Sequence, residues 1–404
     1  MNKLLIFDNK NFGLLWFGQM VSQIGDRIFS IAVMWYILDI TNSAQSASYV
    51  MFFSIIPVIL LACFTGVVVD RFNKKNIIVL SDIIRGILII FLSVLFFKNL
   101  LQPWHIYCFL FLIGCVSALF NPAISASIPF IVKSEKIDKA MAYQSSIRDM
   151  SVIFGAGIGG LLISSIGIGW SFFINGISYI FSAFAEMPIK IRNIEKKIEN
   201  SFFADMKQGF DFAFKNITVR KMLFLFMIMN FFGPPMILII PIIVKQSSFG
   251  VEWFAIFEIA LAVGSILGAI SVNYICKNFN VKNFITLNMV LSGILLILLG
   301  FSSSKLNIFI IQFLFGIVLA YININLMIIF QKITPDNIKG RFFSILETVS
   351  CFVVPLSFLV AGITIEKYGY YNNLFVMGTA IVISSIYFYF IPGLGDARRA
   401  SIKN

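Results

Sequence analysis

An all-α membrane protein of twelve transmembrane helices, in two six-helix halves with both termini cytoplasmic, is the fold class that three observations predict. The first is composition. Of 404 residues 59% are hydrophobic and only 12% charged, and mean hydropathy is +0.92. Soluble domains average roughly 45–50% apolar and about 25% charged, so no water-soluble surface could disperse this chain, and its solvent must be lipid. The second is segmentation. Apolar runs lie near 12–38, 46–69, 76–97, 104–129, 143–166 and 170–189, then 221–244, 251–275, 284–301, 306–330, 343–365 and 371–392. Each comes close to or exceeds the roughly 20 residues that cross about 30 Å of hydrocarbon. The third is the placing of positive charge. With the N terminus inside, 24 Lys and Arg fall in inner segments, and only Lys98, Lys245, Lys305 and Lys367 in outer loops. This is the asymmetry by which cytoplasmic loops are recognised.

Taken in order, the first run carries Asp26 and Arg27 in its middle and is too long for a cleaved signal core, so it is expected to remain as the first span. At about 100° per residue, Gln19, Ser22, Gln23, Asp26 and Ser30 fall within about 60° of one another. A polar stripe along a whole span must face a cavity or other helices, since an ionisable group in lipid costs roughly 2.5–3.5 kcal/mol. Asp26 therefore reads either as a proton-titrating or cargo-contacting carboxylate, or as the structural partner of a buried donor. In the third run Asp82 and Arg85 are three apart and share a face, which suggests a structural ion pair. The fourth run aligns Gly114, Ser117, Asn121 and Ser125, with the one histidine, His105, at its outer end as an interfacial residue. The fifth opens with Arg148 and Asp149 and continues GAGIGG from Gly155 to Gly160, small residues four apart that permit close helix contact.

The longest polar interruption, 190–220, separates a 1–189 half from a 221–404 half. Within it Phe203, Met206, Phe210 and Phe214 recur at helical spacing, as in a short helix lying on the membrane surface. The seventh run holds Asn230 and then Gly233, Pro234 and Pro235, which must break the helix. The eighth carries Glu258 on a face with Ala262, Ser265 and Ala269; it is a second candidate for coupling. The tenth aligns Gln312, Gly316 and Asn323. Runs one, four, seven and ten thus carry polar or broken faces, one in every three. That recurrence points to a central cavity walled by four equivalent helices, as in repeat-built transporters. Each stripe alone is also compatible with ordinary interhelical hydrogen bonding, worth roughly 0.6 kcal/mol per bond.

The loop after the second run reads GVVVDRFNKK, from Gly66 to Lys75. It resembles the signature of the major facilitator superfamily through Gly66, Asp70, Arg71, Lys74 and Lys75, with Asn73 where glycine is usual. The resemblance implies a cytoplasmic gate at these residues. The stretch FGLLWFGQMVSQIGDRIFSIAVMWYI, with FNPAISASIP and KGRFFSI further on, is similar to the macrolide-efflux and siderophore-exporter branch of bacterial permeases. The fifth run is similar to the antiporter motif of drug exporters but has Ala156 in place of proline. The resemblance implies the major facilitator fold in a bacterial cytoplasmic membrane.

These readings lead to one functional expectation: proton-coupled export of an amphipathic, macrolide-like small molecule, with Asp26 and Glu258 as coupling candidates. The cavity-lining candidates are Gln19, Ser22, Gln23, Ser30, Ser117, Asn121, Asn230, Gln312 and Asn323. The alternatives are a siderophore or lipid translocator, or a scaffold or immunity protein that moves nothing. A replacement of Asp26 would leave the scaffold's activity intact and abolish coupled export. The five cysteines show no paired-ligand spacing, and no nucleotide-binding loop or metal cluster is evident, so no cofactor, metal or enzymatic activity is expected. The net charge of +12 lies in short bursts between spans, which excludes a nucleic-acid surface. The expected partners are the cargo, protons and the bilayer, and the expected state is a monomer.

Overall fold

A computed structural model of the chain describes residues 5–190, 214–335 and 338–392, and those residues contain helices and no strand. The helices are α1 (Leu5–Asp8), α2 (Lys10–Thr41), α3 (Ala44–Arg71), α4 (Lys74–Phe97), α5 (Pro103–Ile131), α6 (Ile137–Ile166) and α7 (Ile168–Glu186). After the 191–213 segment come α8 (Ile217–Phe232), α9 (Met236–Gln246), α10 (Val251–Ile275), α11 (Val281–Gly300), α12 (Lys305–Ile333) and α13 (Lys339–Tyr389). Phe203, Met206 and Phe210 of the expected surface helix lie outside the described residues. Ten of the described helical segments are long and apolar enough to cross a membrane. The 32-residue α2 is not among the ten, because its polar stripe lowers its hydropathy.

The local sequence accounts for the breaks. Gly233, Pro234 and Pro235 separate α8 from α9, where two consecutive prolines lack the N–H groups a continuous helix requires. The expected loop between 365 and 371 is a single residue: α13 runs for 51 residues and leaves helical geometry only at Gly369, with φ 81° and ψ 160°. A residue with a Cβ reaches that conformation only under strain. Asn9 ties two helix ends together. Its Oδ1 accepts from Phe12 N at 3.1 Å and so caps α2, while its Nδ2 donates to Ile131 O, at the end of α5, at 2.7 Å. His105 also serves a helix end, its Nδ1 accepting from Gln102 N at 3.0 Å at the start of α5.

The chain packs as two compact units, Met1–Lys197 with Val244–Ile259, and Ile198–Ile243 with Ala260–Asn404. Close packing relies on glycine in both, since lipid offers helices no hydrophobic reason to associate. In the first unit a Cβ on Gly86 of α4 would lie 2.9 Å from Gly176 O of α7, and one on Gly114 of α5 would lie 3.0 Å from Ser54 O of α3. In the second, a Cβ on Gly293 of α11 would lie 2.5 Å from Gly378 O of α13, and one on Gly316 of α12 would lie 2.2 Å from Leu261 O of α10. The same two helix contacts occur once in each unit. Outward faces stay apolar: Leu161 is 68% and Ile270 72% exposed, as suits side chains whose solvent is hydrocarbon.

Candidate functional site

The polar stripe of α2 meets α4, α5 and α6 around a cavity of about 640 Å³ in the first unit. Gln19, Ser22, Gln23, Asp26, Arg27 and Ser30 line it from α2 and Arg85 from α4. Ser117, Phe120, Asn121, Ile124 and Ser125 come from α5, and Met141, Gln144, Ser145, Arg148 and Ser151 from α6. Seven of the sequence-predicted residues are therefore brought together: Asp26, Gln19, Ser22, Gln23, Ser30, Ser117 and Asn121. The wall also contains three arginines and the polar side of α6, which the sequence reading did not select.

Two glycines explain how charge comes to be buried beside this cavity. A Cβ on Gly25 would lie 2.3 Å from Ser178 Oγ and 2.4 Å from Asn175 Oδ1, and one on Gly18 would lie 3.1 Å from Ser182 Oγ. Gly18 and Gly25, seven residues apart, form a smooth face on which α7 rests. The polar side of α7, formed by Asn175, Ser178, Tyr179, Ser182 and Glu186, then faces α2 and α4. Tyr179 Oη donates to Asp26 Oδ1 at 2.5 Å, and Asn175 Nδ2 donates to the same oxygen at 3.4 Å. Gln19 Nε2 donates to Glu186 Oε1 at 2.7 Å. Arg85 is ion-paired to Asp82 and donates to Tyr179 Oη at 3.3 Å. Its guanidinium carbon lies 3.8 Å from the Phe120 ring centroid and 4.4 Å from that of Tyr179. Such stacking helps to hold a cation that is almost wholly buried. The expected Asp82–Arg85 pair is present, but Arg85 also belongs to the cavity wall.

The remaining predicted residues lie elsewhere. Glu258 is half-buried on α10, in the part of that helix assigned to the first unit, within electrostatic reach of Arg27. There α10 packs on α6, where a Cβ on Gly160 would lie 2.5 Å from Ala255 Cβ. Asn230, Gln312 and Asn323 belong to the second unit and are not among the residues of this cavity. Asn230 Nδ2 donates to Phe226 O of its own helix at 2.9 Å, Gln312 is buried, and Asn323 is exposed. In the loop motif Gly66 and Arg71 are exposed, Lys75 is half-buried, and Lys74 is buried with its Nζ 5.7 Å from the Phe130 ring centroid. The Asp70 side chain lies outside the described residues. Asn73 does what its glycine counterpart could not, its Oδ1 accepting from Lys75 N at 3.0 Å to cap α4.

The family of transmembrane secretion effectors, a major facilitator group, matches this chain over residues 3–398. The chain belongs to the major facilitator superfamily. It is similar to the MFS-type transporter YkuC of Bacillus subtilis, 24% identical over 404 residues, with 96% of this chain and 93% of that one covered. Macrolide efflux protein A of Streptococcus pyogenes is 23% identical over 399 residues, covering 97% and 98%. The staphyloferrin A transporter of Staphylococcus aureus is 21% identical over 380 residues, covering 94% of each. Among solved structures, the nucleoside transporter NupG superposes with a TM-score of 0.74 at 12% identity, covering 94% and 98%. An inward-facing bacterial homologue of ferroportin does so with 0.74 at 13%, covering 94% and 97%. These structures share the fold. The protein is a multi-pass membrane transporter of small molecules and not an enzyme.

Proposed function

We propose that this major facilitator protein is a proton-coupled exporter of an amphipathic small molecule, working by alternating access in a bacterial cytoplasmic membrane. Twelve spans in two six-helix halves, both termini cytoplasmic, are the architecture proposed for it. The two glycine contacts repeated in the two units support that reading, and so does the division of α13 at Gly369 into two membrane-length pieces.

The observation that carries the proposal is Asp26: a carboxylate on a cavity wall, held by Tyr179 and Asn175, with Arg27, Arg85 and Asp82 in electrostatic reach. Protonating such a group removes the charge whose exposure differs between the two sides of the membrane. The polar residues of α2 and α5 around it supply cargo contacts, and the Gly66–Lys75 loop acts as the cytoplasmic gate. Everted membrane vesicles holding an imposed proton gradient test this. A macrolide, a cationic dye and a polycarboxylate siderophore are added in turn to wild type and Asp26→Asn. Dissipation by one compound in wild type, absent in the variant, is expected. Equal dissipation in both would remove the coupling role from Asp26 and pass it to another buried acid, Glu258 among them.

A second reading of the cargo has its own support. Arg27, Arg85 and Arg148 line the cavity against one carboxylate, Asp26. A cargo with carboxylate groups would meet guanidinium forks suited to it, and one relative is named a staphyloferrin A transporter. The siderophore arm of the same assay distinguishes this reading from a macrolide cargo.

A further inference from the structure

Just behind the cavity wall lies a group of acids that the export reading leaves unused. Asp82 is 0% and Glu186 1% exposed. The two acids act directly on each other, and Asp82 Oδ2 and Glu186 Oε2 are both buried with no hydrogen bond made to them. Buried oxygens left unsatisfied in this way are costly, and native interiors avoid them. The donors that do reach the pair each serve the other oxygen: Arg85 on Asp82 Oδ1, and Gln19 on Glu186 Oε1. Ser182 Oγ, beside Asp82, completes the enclosure from the helix of Glu186 itself.

Charge leads to the same place. The ionisable groups around Glu186 are Asp82 and Arg85 from α4, with Asp26 and Arg27 from α2 and Tyr179 from its own helix next to them. On α6 the charge that lines the cavity is Arg148. Arg85 is the guanidinium that acts on both carboxyls of the pair, one positive charge against two negative ones. One bound proton balances the group, and the oxygens lacking donors mark where it sits.

We infer that Asp82 and Glu186 hold a single proton between them, a second one beside the proton that titrates Asp26, and that this shared proton is also carried during transport. The carried role rests on the proton-coupled reading above; the sharing does not. The step is simple protonation: one carboxyl O–H bond forms or breaks, and the proton passes to or from cavity water. Gln19 supplies the route, since it lines the cavity while donating to Glu186. Rotation of that one side chain exposes the pair to the water of the cavity.

Infrared spectroscopy of the purified full-length protein in lipid nanodiscs at neutral pH reads the proton directly, through the carbonyl band of a protonated carboxyl. The component assigned to the pair is expected to be lost in Glu186→Gln and equally in Asp82→Asn, because either carboxylate alone is matched by Arg85. It is expected to persist in Glu258→Gln and, shifted, in Glu186→Asp, which keeps the pair and guards against a variant that merely misfolds. A band unchanged in both Glu186→Gln and Asp82→Asn overturns the inference. A band lost in only one of them also overturns it, since a lone acid and not a pair would then hold the proton. If the band behaves as expected while everted vesicles show no proton movement with erythromycin, ethidium or a citrate-based siderophore, the export reading fails and the shared proton stands.

Discussion

Asp26 and its neighbours illustrate how little backbone a membrane protein needs to surrender in order to bury charge. Tyr179 supplies the shorter of the two hydrogen bonds to Asp26 Oδ1. Tyr179→Phe removes that donor from a half-buried acceptor that Asn175 still serves, which costs about 0.5–1.5 kcal/mol; a lower thermal midpoint of the purified protein is the expected result. Gly25→Ala is predicted to destabilise by roughly 1–3 kcal/mol for overpacking, because its methyl would meet Ser178 and Asn175. A thermal midpoint at or above that of wild type would show that α7 does not rest on this face. At this scale the sequence was partly legible. Asp26 and the α2 stripe stood out because a carboxylate inside an apolar run has no bland neighbours to hide it. Glu186 did not, since it ends its helix beside a polar linker and so looks like an ordinary terminal charge. Arg85 was read as the partner of Asp82, and that pairing concealed its second role at the cavity wall.

Among the elements, α13 offers the cleanest separation of backbone strain from packing. A Cβ at Gly369 would meet nothing within 4 Å, so the cost of Gly369→Ala comes from its φ of 81° and not from contact. Gly340 in the same helix is equally open and has no such dihedral. Gly369→Ala is predicted to lower stability by about 1 kcal/mol, while Gly340→Ala leaves it unchanged or raises it by up to about 1 kcal/mol. Denaturation of the two variants side by side checks the pair; equal effects would mean that Gly369 is not strained. Helix positions were readable from hydropathy because a span is defined by its length against the bilayer. The break at Gly233–Pro235 was readable from the missing donors of proline. The one-residue turn at Gly369 was not, since EKYGY looks like any short polar loop until its dihedrals are known.

At the scale of the whole molecule, the distribution of basic residues predicts that a reporter fused after Asn404 stays cytoplasmic: green fluorescent protein fluoresces there and alkaline phosphatase remains inactive. Active phosphatase at that fusion would reverse the proposed topology. The repeated glycine contacts, Gly86 with Gly176 and Gly293 with Gly378, express a symmetry that hydropathy alone could not show, since small residues carry almost no hydropathic signal. The relation between Asn9 and Ile131 sets a timetable. The carbonyl that receives the Asn9 amide belongs to a residue 122 positions downstream, which a ribosome adding about 5–20 residues per second delivers on the order of ten seconds later. The first span must therefore enter the membrane with its N-terminal end unfinished. Its final seat is set only when the fourth arrives, so the earliest helix to be made is among the later ones to be locked.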